Sequence, residues 1–194
     1  MKLNEKTACA TLFNPCTSTG VFKNLQVQNR LLEYSKRYYT MVKNEREFQE
    51  TLDNLLTMAL LMHRTNMGNI QLLDKKTGLL KIVAQQGFSA SFLEHFKEVS
   101  ISDNSACGRA LHTGEIVVIE DVTADPLYSP HKKIAISAGY RSVQSTPLIS
   151  RDGNLLGILS THFRTPRKFS EEELKSLREY GQHSADIIMN LIKA

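Results

Sequence analysis

Cys107 stands in Ser105-Ala106-Cys107-Gly108-Arg109, and it is the one thiol of the chain beyond residue 16. A reactive cysteine works as the thiolate, and a redox cycle through a sulfenic acid needs a second thiol to resolve it. The other two cysteines, Cys9 and Cys16, lie far upstream among small polar residues. The expected role of Cys107 is therefore a buried or pocket-lining small hydrophobe, with redox sensing as the alternative. Three cysteines are also too few for a disulfide scaffold, and no histidine pair beside Cys9 and Cys16 completes a metal site.

The remaining polar chemistry is scattered. His63, His95, His112, His131, His162 and His183 show no HExxH spacing or other metal-ligating cluster, so no metal is expected. His162 follows Ser160-Thr161 at the end of an apolar run and reads as a hydrogen-bonded strand residue or a pocket residue. Glu120 and Asp121 are adjacent, and neighbours on an extended strand face opposite ways, so they cannot flank one substrate as an acid/base pair. Asp121 is expected to cap the following loop or to pair with Arg141. Arg141, Gln144, Ser145 and Thr146 form the densest polar group on a strand that ought to be central, where polar groups need partners. They serve either to tie loops to the sheet or to contact a ligand, and in the second case Arg141 points to an anionic or carbonyl-rich compound. Phosphate-binding glycine loops and a nucleophile elbow are absent. No catalytic set assembles.

These residues need a scaffold, and the chain has the composition for one. At 194 residues, 41% hydrophobic and 23% charged, it is long enough for one core plus an appendage. The start MKLNEKTACATLF lacks the apolar stretch of a secretory signal, and no run of 18 apolar residues occurs. Cytoplasmic residence without membrane insertion is expected. The net charge of +4 resides entirely in residues 1–45, since the remainder has 17 charges of each sign. Nucleic-acid binding calls for basic groups gathered on one face, and the remainder offers only short pairs such as Lys132-Lys133.

Residues 1–20 read as a flexible leader and 21–45 as a helical extension. Phe48, Leu52, Leu55, Ala59 and Met62 recur at steps of four and three, which gives a helix with a broad apolar face. Beyond Gly68 the period changes to strands at 69–74 and 79–85, joined by a hairpin through Asp74 and Gly78. A short helix is expected in ASFLEHF, a strand at 117–121 and a short helix at 131–138. Strands at 142–150 and 155–163 follow, joined at Asp152-Gly153. Pro147 cannot donate to a ladder, so its strand should be bulged or lie at an edge there. Ser170 with Glu173 forms a capping box for a last helix lined by Leu174, Leu177, Gly181, Ser184, Ile188 and Leu191. Five strands joined largely by hairpins, with amphipathic helices at both ends, favour an antiparallel sheet covered by those helices. Their apolar stripes exceed what one sheet face needs and leave surface for a second subunit.

GNIQLLD (68–74), Gly87-Phe88, SACGRALHTGEIVVIEDVTADPLY (105–128), AGYRSVQSTPLIS (138–150) and GNLLGILSTHFRTPRKFSEEEL (153–174) together resemble the GAF domains of microbial sensor histidine kinases. The resemblance covers about residues 46–193. It implies an α/β (α+β) fold with a central antiparallel sheet of about six strands, the N- and C-terminal helices on one face, and a ligand pocket on the other. It also implies a homodimer through the terminal helices, coupled to a kinase or other output partner. By the same resemblance the pocket wall draws on Gln71, Cys107, Asp121, the 125–137 segment, Arg141, Gln144, Ser145 and His162.

No kinase catalytic region or output module is present, so the chain reads as an input domain alone, a fragment or a standalone protein. The small-molecule ligand, if there is one, is unknown. Relatives that carry a linear tetrapyrrole attach it through a cysteine beside a histidine; His131 has no such neighbour, so no covalent tetrapyrrole is expected, and non-covalent haem or pigment binding stays open. Two further readings stay open. One is a redox enzyme similar to free methionine sulfoxide reductases, which place a cysteine in a comparable Cys-Gly setting. The other is a structural dimerisation domain without ligand.

Overall fold

The computed structural model describes residues 18–193, so the leader with Cys9 and Cys16 lies outside the described residues. The chain divides into two compact units, Met1–Arg46 and Glu47–Ala194. The first contributes the upstream part of a long helix, α1 (Ser18–His63), and the side chains described there, from Glu33 onward, are exposed.

Everything else belongs to the second unit. After α1 come β1 (Met67–Asp74), β2 (Leu79–Gln86), α2 (Ala90–His95), α3 (Ala106–Thr113) and β3 (Val117–Ile119). A 3-10 turn at Ser129–His131 leads into α4 (Lys132–Ala138), followed by β4 (Ser142–Ile149), β5 (Leu155–Phe163) and α5 (Glu171–Lys193). The strands form one antiparallel sheet in the order β2-β1-β5-β4-β3. The expected α+β architecture is present, with five strands among the described residues rather than about six. Beside the β2 edge, Val99 forms an isolated antiparallel bridge with Leu80.

Strand alternation sends successive side chains to opposite faces, and each face has its own core. On one, Leu52, Leu56, Ala59 and Leu60 of α1 meet Ile70, Leu148 and Leu159 of the sheet and Ala185 and Ile188 of α5. Tyr180 Oη donates to the Leu55 carbonyl at 2.7 Å and ties α5 to α1 directly. On the other, Met67, Val143 and Ile158 of the sheet meet Phe92 and Phe96 of α2, Cys107 and Ala110 of α3, and Tyr128 and Tyr140. Each large side chain so buried contributes about 1.5–3 kcal/mol. Met62, counted in the α1 stripe from its spacing, is instead 45% exposed and lies beside exposed Met58 and Leu61.

The local signals account for most boundaries. Ser170 and Glu173 cap α5 reciprocally, Glu173 N–H donating to Ser170 Oγ at 3.2 Å and Ser170 N–H to Glu173 Oε2 at 2.8 Å. Pro147 pairs with Ile158 of β5, but β3 reaches only Ser145, so the outer edge of β4 has no strand partner at the proline. Gly157 is required where β5 crosses β1, because a Cβ there would collide with the Gln71 backbone carbonyl. Helix α3 is the element that residue patterning did not reveal. Its signal was Ser105, whose Oγ accepts from Gly108 N–H at 3.2 Å, and Gly114 ends the helix in the left-handed region. No helix among the described residues is long and apolar enough to cross a membrane.

Candidate functional site

The sheet face opposite the terminal helices carries a polar patch at its centre. Asn69 and Gln71 stand two apart on β1, Ser160 and His162 two apart on β5, and Val143 and Ser145 two apart on β4, so all six share that face. Phe92 and Phe96 from α2, Ser105, Ala106 and Cys107 from the start of α3, and Tyr128 roof them over. The cavity between wall and roof measures about 10 Å³, room for one water molecule.

Its polar groups are incompletely satisfied. Ser145 Oγ and Ser160 Oγ bond each other at 2.8 Å. Asn69 Oδ1, both amide atoms of Gln71, and His162 Nδ1 are buried with no hydrogen-bond partner. Such atoms cost about 1–3 kcal/mol each and are rare in folded proteins. The His162 ring sits edge-on to Tyr140 and Phe88, with centroids 4.7 and 4.9 Å away, and burial lowers its pKa to about 3. It is neutral at physiological pH. Burial also pushes the Cys107 thiol up to about 11, against a partly offsetting contact with Ser105 Oγ at 3.2 Å. Tyr128 and Tyr140 share a hydroxyl bond of 2.9 Å, and burial raises both phenols. The pocket is therefore lined by uncharged groups.

A chain of titratable side chains latches the roof together. His95 Nε2 at the end of α2 lies 2.9 Å from His131 Nδ1, and His131 Nε2 lies 3.2 Å from Asp103 Oδ1. Asp103 Oδ1 also accepts the Ser105 N–H at 2.8 Å. Burial alone would raise the Asp103 pKa, but the His131 and Ser105 bonds outweigh it and hold it at about 2.

Of the residues expected at the site, Gln71, Cys107, Ser145 and His162 converge on this cavity, and the 125–137 segment supplies Tyr128. Gln144 does not join them. It follows Val143 and precedes Ser145 on β4, so alternation turns it to the helix-covered face, where Gln144 Nε2 donates to Thr161 Oγ1 at 3.0 Å and Gln144 Oε1 accepts from Thr146 Oγ1 at 2.9 Å. Asp121 and Arg141 lie outside the cavity wall and bond each other at 2.5 and 3.1 Å, with Thr123 completing the group. This ion pair holds the Asp121 carboxyl below the usual carboxylate range. Asn69, Ser160, Phe92 and Phe96 were not anticipated, although Asn69 and Ser160 share strand parity with Gln71 and His162.

The pocket adjoins the end of α1 through β5. Thr161, between pocket residues Ser160 and His162, faces the helices and bonds His63 Nδ1 at 2.8 Å. Thr65 Oγ1 donates to the His162 carbonyl at 2.6 Å. Between them Arg64 takes a left-handed conformation, φ 54°, at the helix terminus. Burial, with Arg167 second, lowers the His63 pKa to about 4. Among the described residues no group of three or more His, Cys, Asp and Glu is placed to hold a metal ion.

The family model for the GAF domain matches residues 45–189. The methyl sulfide methyltransferase-associated sensor of Methanosarcina acetivorans is 26% identical over 152 residues, which are 78% of this chain and 14% of that protein. The chain thus spans about one seventh of the length of that relative. Among solved structures, free methionine-R-sulfoxide reductase of Neisseria meningitidis in complex with its substrate is similar with a TM-score of 0.61 and 23% identity, over 75% of this chain and 80% of that one. A GAF domain/HD domain protein of Geobacter sulfurreducens is similar with a TM-score of 0.62 and 17% identity, over 76% and 95% of the two chains. At these identities the structural likeness is one of fold.

Proposed function

The chain belongs to the GAF domain family, and from that premise we propose that it is a small-molecule-sensing input domain of signal transduction that works as a homodimer and regulates a histidine kinase or similar output partner. The observation that carries this reading is the double engagement of His162. Its ring lines the pocket with an unpartnered nitrogen, and its carbonyl accepts from Thr65 just past the end of α1. A change in what occupies the pocket bears on the ring, and the backbone of β5 passes that change to the helix. A ligand shifts such an equilibrium only through contacts that differ between two states, and the unsatisfied atoms of Asn69, Gln71 and His162 supply such contacts. Exposed Met58, Leu61 and Met62 on α1 and Ile192 on α5 offer the apolar surface for a second copy. The sensor from Methanosarcina acetivorans lends the signalling role further support.

A structural dimerisation domain without ligand is the second reading, favoured by the near closure of the pocket. A sulfoxide reductase has less support, because Cys107 is a buried, protonated thiol with no second free cysteine among the described residues. Native mass spectrometry of the protein isolated from its source cells separates these readings. A dimer retaining extra mass is expected of the sensor; a dimer of bare polypeptide favours the structural role, and a monomer at high concentration contradicts both.

A further inference from the structure

We propose that the pocket takes a small uncharged molecule presenting an amide-like pair, a carbonyl acceptor beside an N–H donor. This rests on reading the pocket as a ligand site and names the chemistry that fits it. Gln71 is 1% exposed, and both its Nε2 and its Oε1 lack partners. Exchanging the two amide atoms leaves the demand unchanged: one acceptor and one donor must come from the occupant. Asn69 Oδ1 and His162 Nδ1 add hydrogen-bonding positions on the same wall. A carboxamide meets Gln71 edge to edge, its N–H on Oε1 and its carbonyl on Nε2.

Ions do not fit this wall. A carboxylate would face the lone pairs of Asn69 Oδ1 and Gln71 Oε1, and an ammonium would face the Gln71 Nε2 protons. Neither would find a counter-charge, because the cavity is lined by uncharged groups and the nearby charges are already engaged, Asp103 by hydrogen bonds from His131 and Ser105 and the others in the Asp121–Arg141 and Asp125–Arg109 pairs. A buried charge without a partner is strongly disfavoured. With room for only one water in the closed cavity, a larger occupant displaces the roof at Phe92, Phe96 and Tyr128, whose rings would receive its apolar part.

Acetamide and acetate, nearly equal in size, and the smaller methylammonium serve as probes on the full chain, followed by the side-chain amide NMR signals of Gln71 and Asn69. Saturable shifts with acetamide are expected, at an affinity about tenfold or more above that for acetate. Gln71→Leu should abolish the response while leaving the melting temperature equal or higher, since it removes two unsatisfied buried atoms; Asn69→Ala should weaken it. No saturable shift from acetamide, or equal or tighter binding of acetate or methylammonium, overturns the ligand class. Acetamide binding at Gln71 with the Arg64 and Thr65 amides unmoved upholds the ligand class and sinks the sensing reading. Acetate binding that moves those amides does the reverse.

Discussion

Thr65 Oγ1 donates to the carbonyl of His162 at 2.6 Å, so the first residues after α1 are held by the backbone of a residue whose ring lines the pocket. Thr65→Val removes the donor and keeps the shape. A loss of about 0.5–1.5 kcal/mol in unfolding free energy is expected, the net contribution of one hydrogen bond. Hydrogen exchange should accelerate first at the Arg64 and Thr65 amides, which bond the Leu61 and Leu60 carbonyls. Unchanged exchange there would mean that the bond does not hold the helix end.

Acid should destabilise the fold by protonating two histidines that burial keeps neutral. The unfolded chain binds these protons near pH 6.5, whereas folded His63 does so only at about 4 and His162 at about 3. Stability is therefore fully present above pH 6.5 and falls as the pH drops toward 4, with a loss on the order of 5 kcal/mol by pH 4. Asp103, held at about 2, adds a further loss below its unfolded value of 3.8. Urea unfolding across this range reads the effect. His63→Gln should flatten the slope between pH 6.5 and 4, and a slope equal to wild type would contradict the burial argument.

Cys107 should behave as an inert thiol in the folded protein. With its pKa raised from 9.0 to about 11, the thiolate fraction at neutral pH is about a hundredfold below that of a free cysteine, and burial adds a steric barrier. Iodoacetamide labelling followed by peptide mass analysis should modify Cys107 only after denaturation. Rapid labelling of the native protein would restore the redox readings.

The sheet was legible because its signals are local and redundant: hairpin turns at Asp74–Gly78 and Asp152–Gly153, period-two strands, and the Ser170–Glu173 cap. The site was legible in part. Polar residues crowd the middle of β4, but the density of a segment does not say which face each side chain takes. Parity separates Ser145, which enters the pocket, from Gln144 and Thr146, which bond each other behind the sheet, where Gln144 also bonds Thr161. Asn69 and Ser160 could have been found by stepping two residues from Gln71 and His162. The roof was harder, because α3 is a short helix whose place over the sheet is set by tertiary packing of Ala106, Cys107 and Ala110 rather than by a long periodic pattern.

Energetic coupling between the pocket and the end of α1 is tested most directly by a double-mutant cycle pairing His162→Phe with Thr65→Val, measured by denaturant unfolding. The first changes the ring in the pocket and leaves the carbonyl in place; the second removes the donor at the helix end. A coupling energy of about 0.5–2 kcal/mol is expected if β5 links the two sites. Additivity within about 0.3 kcal/mol would contradict that link.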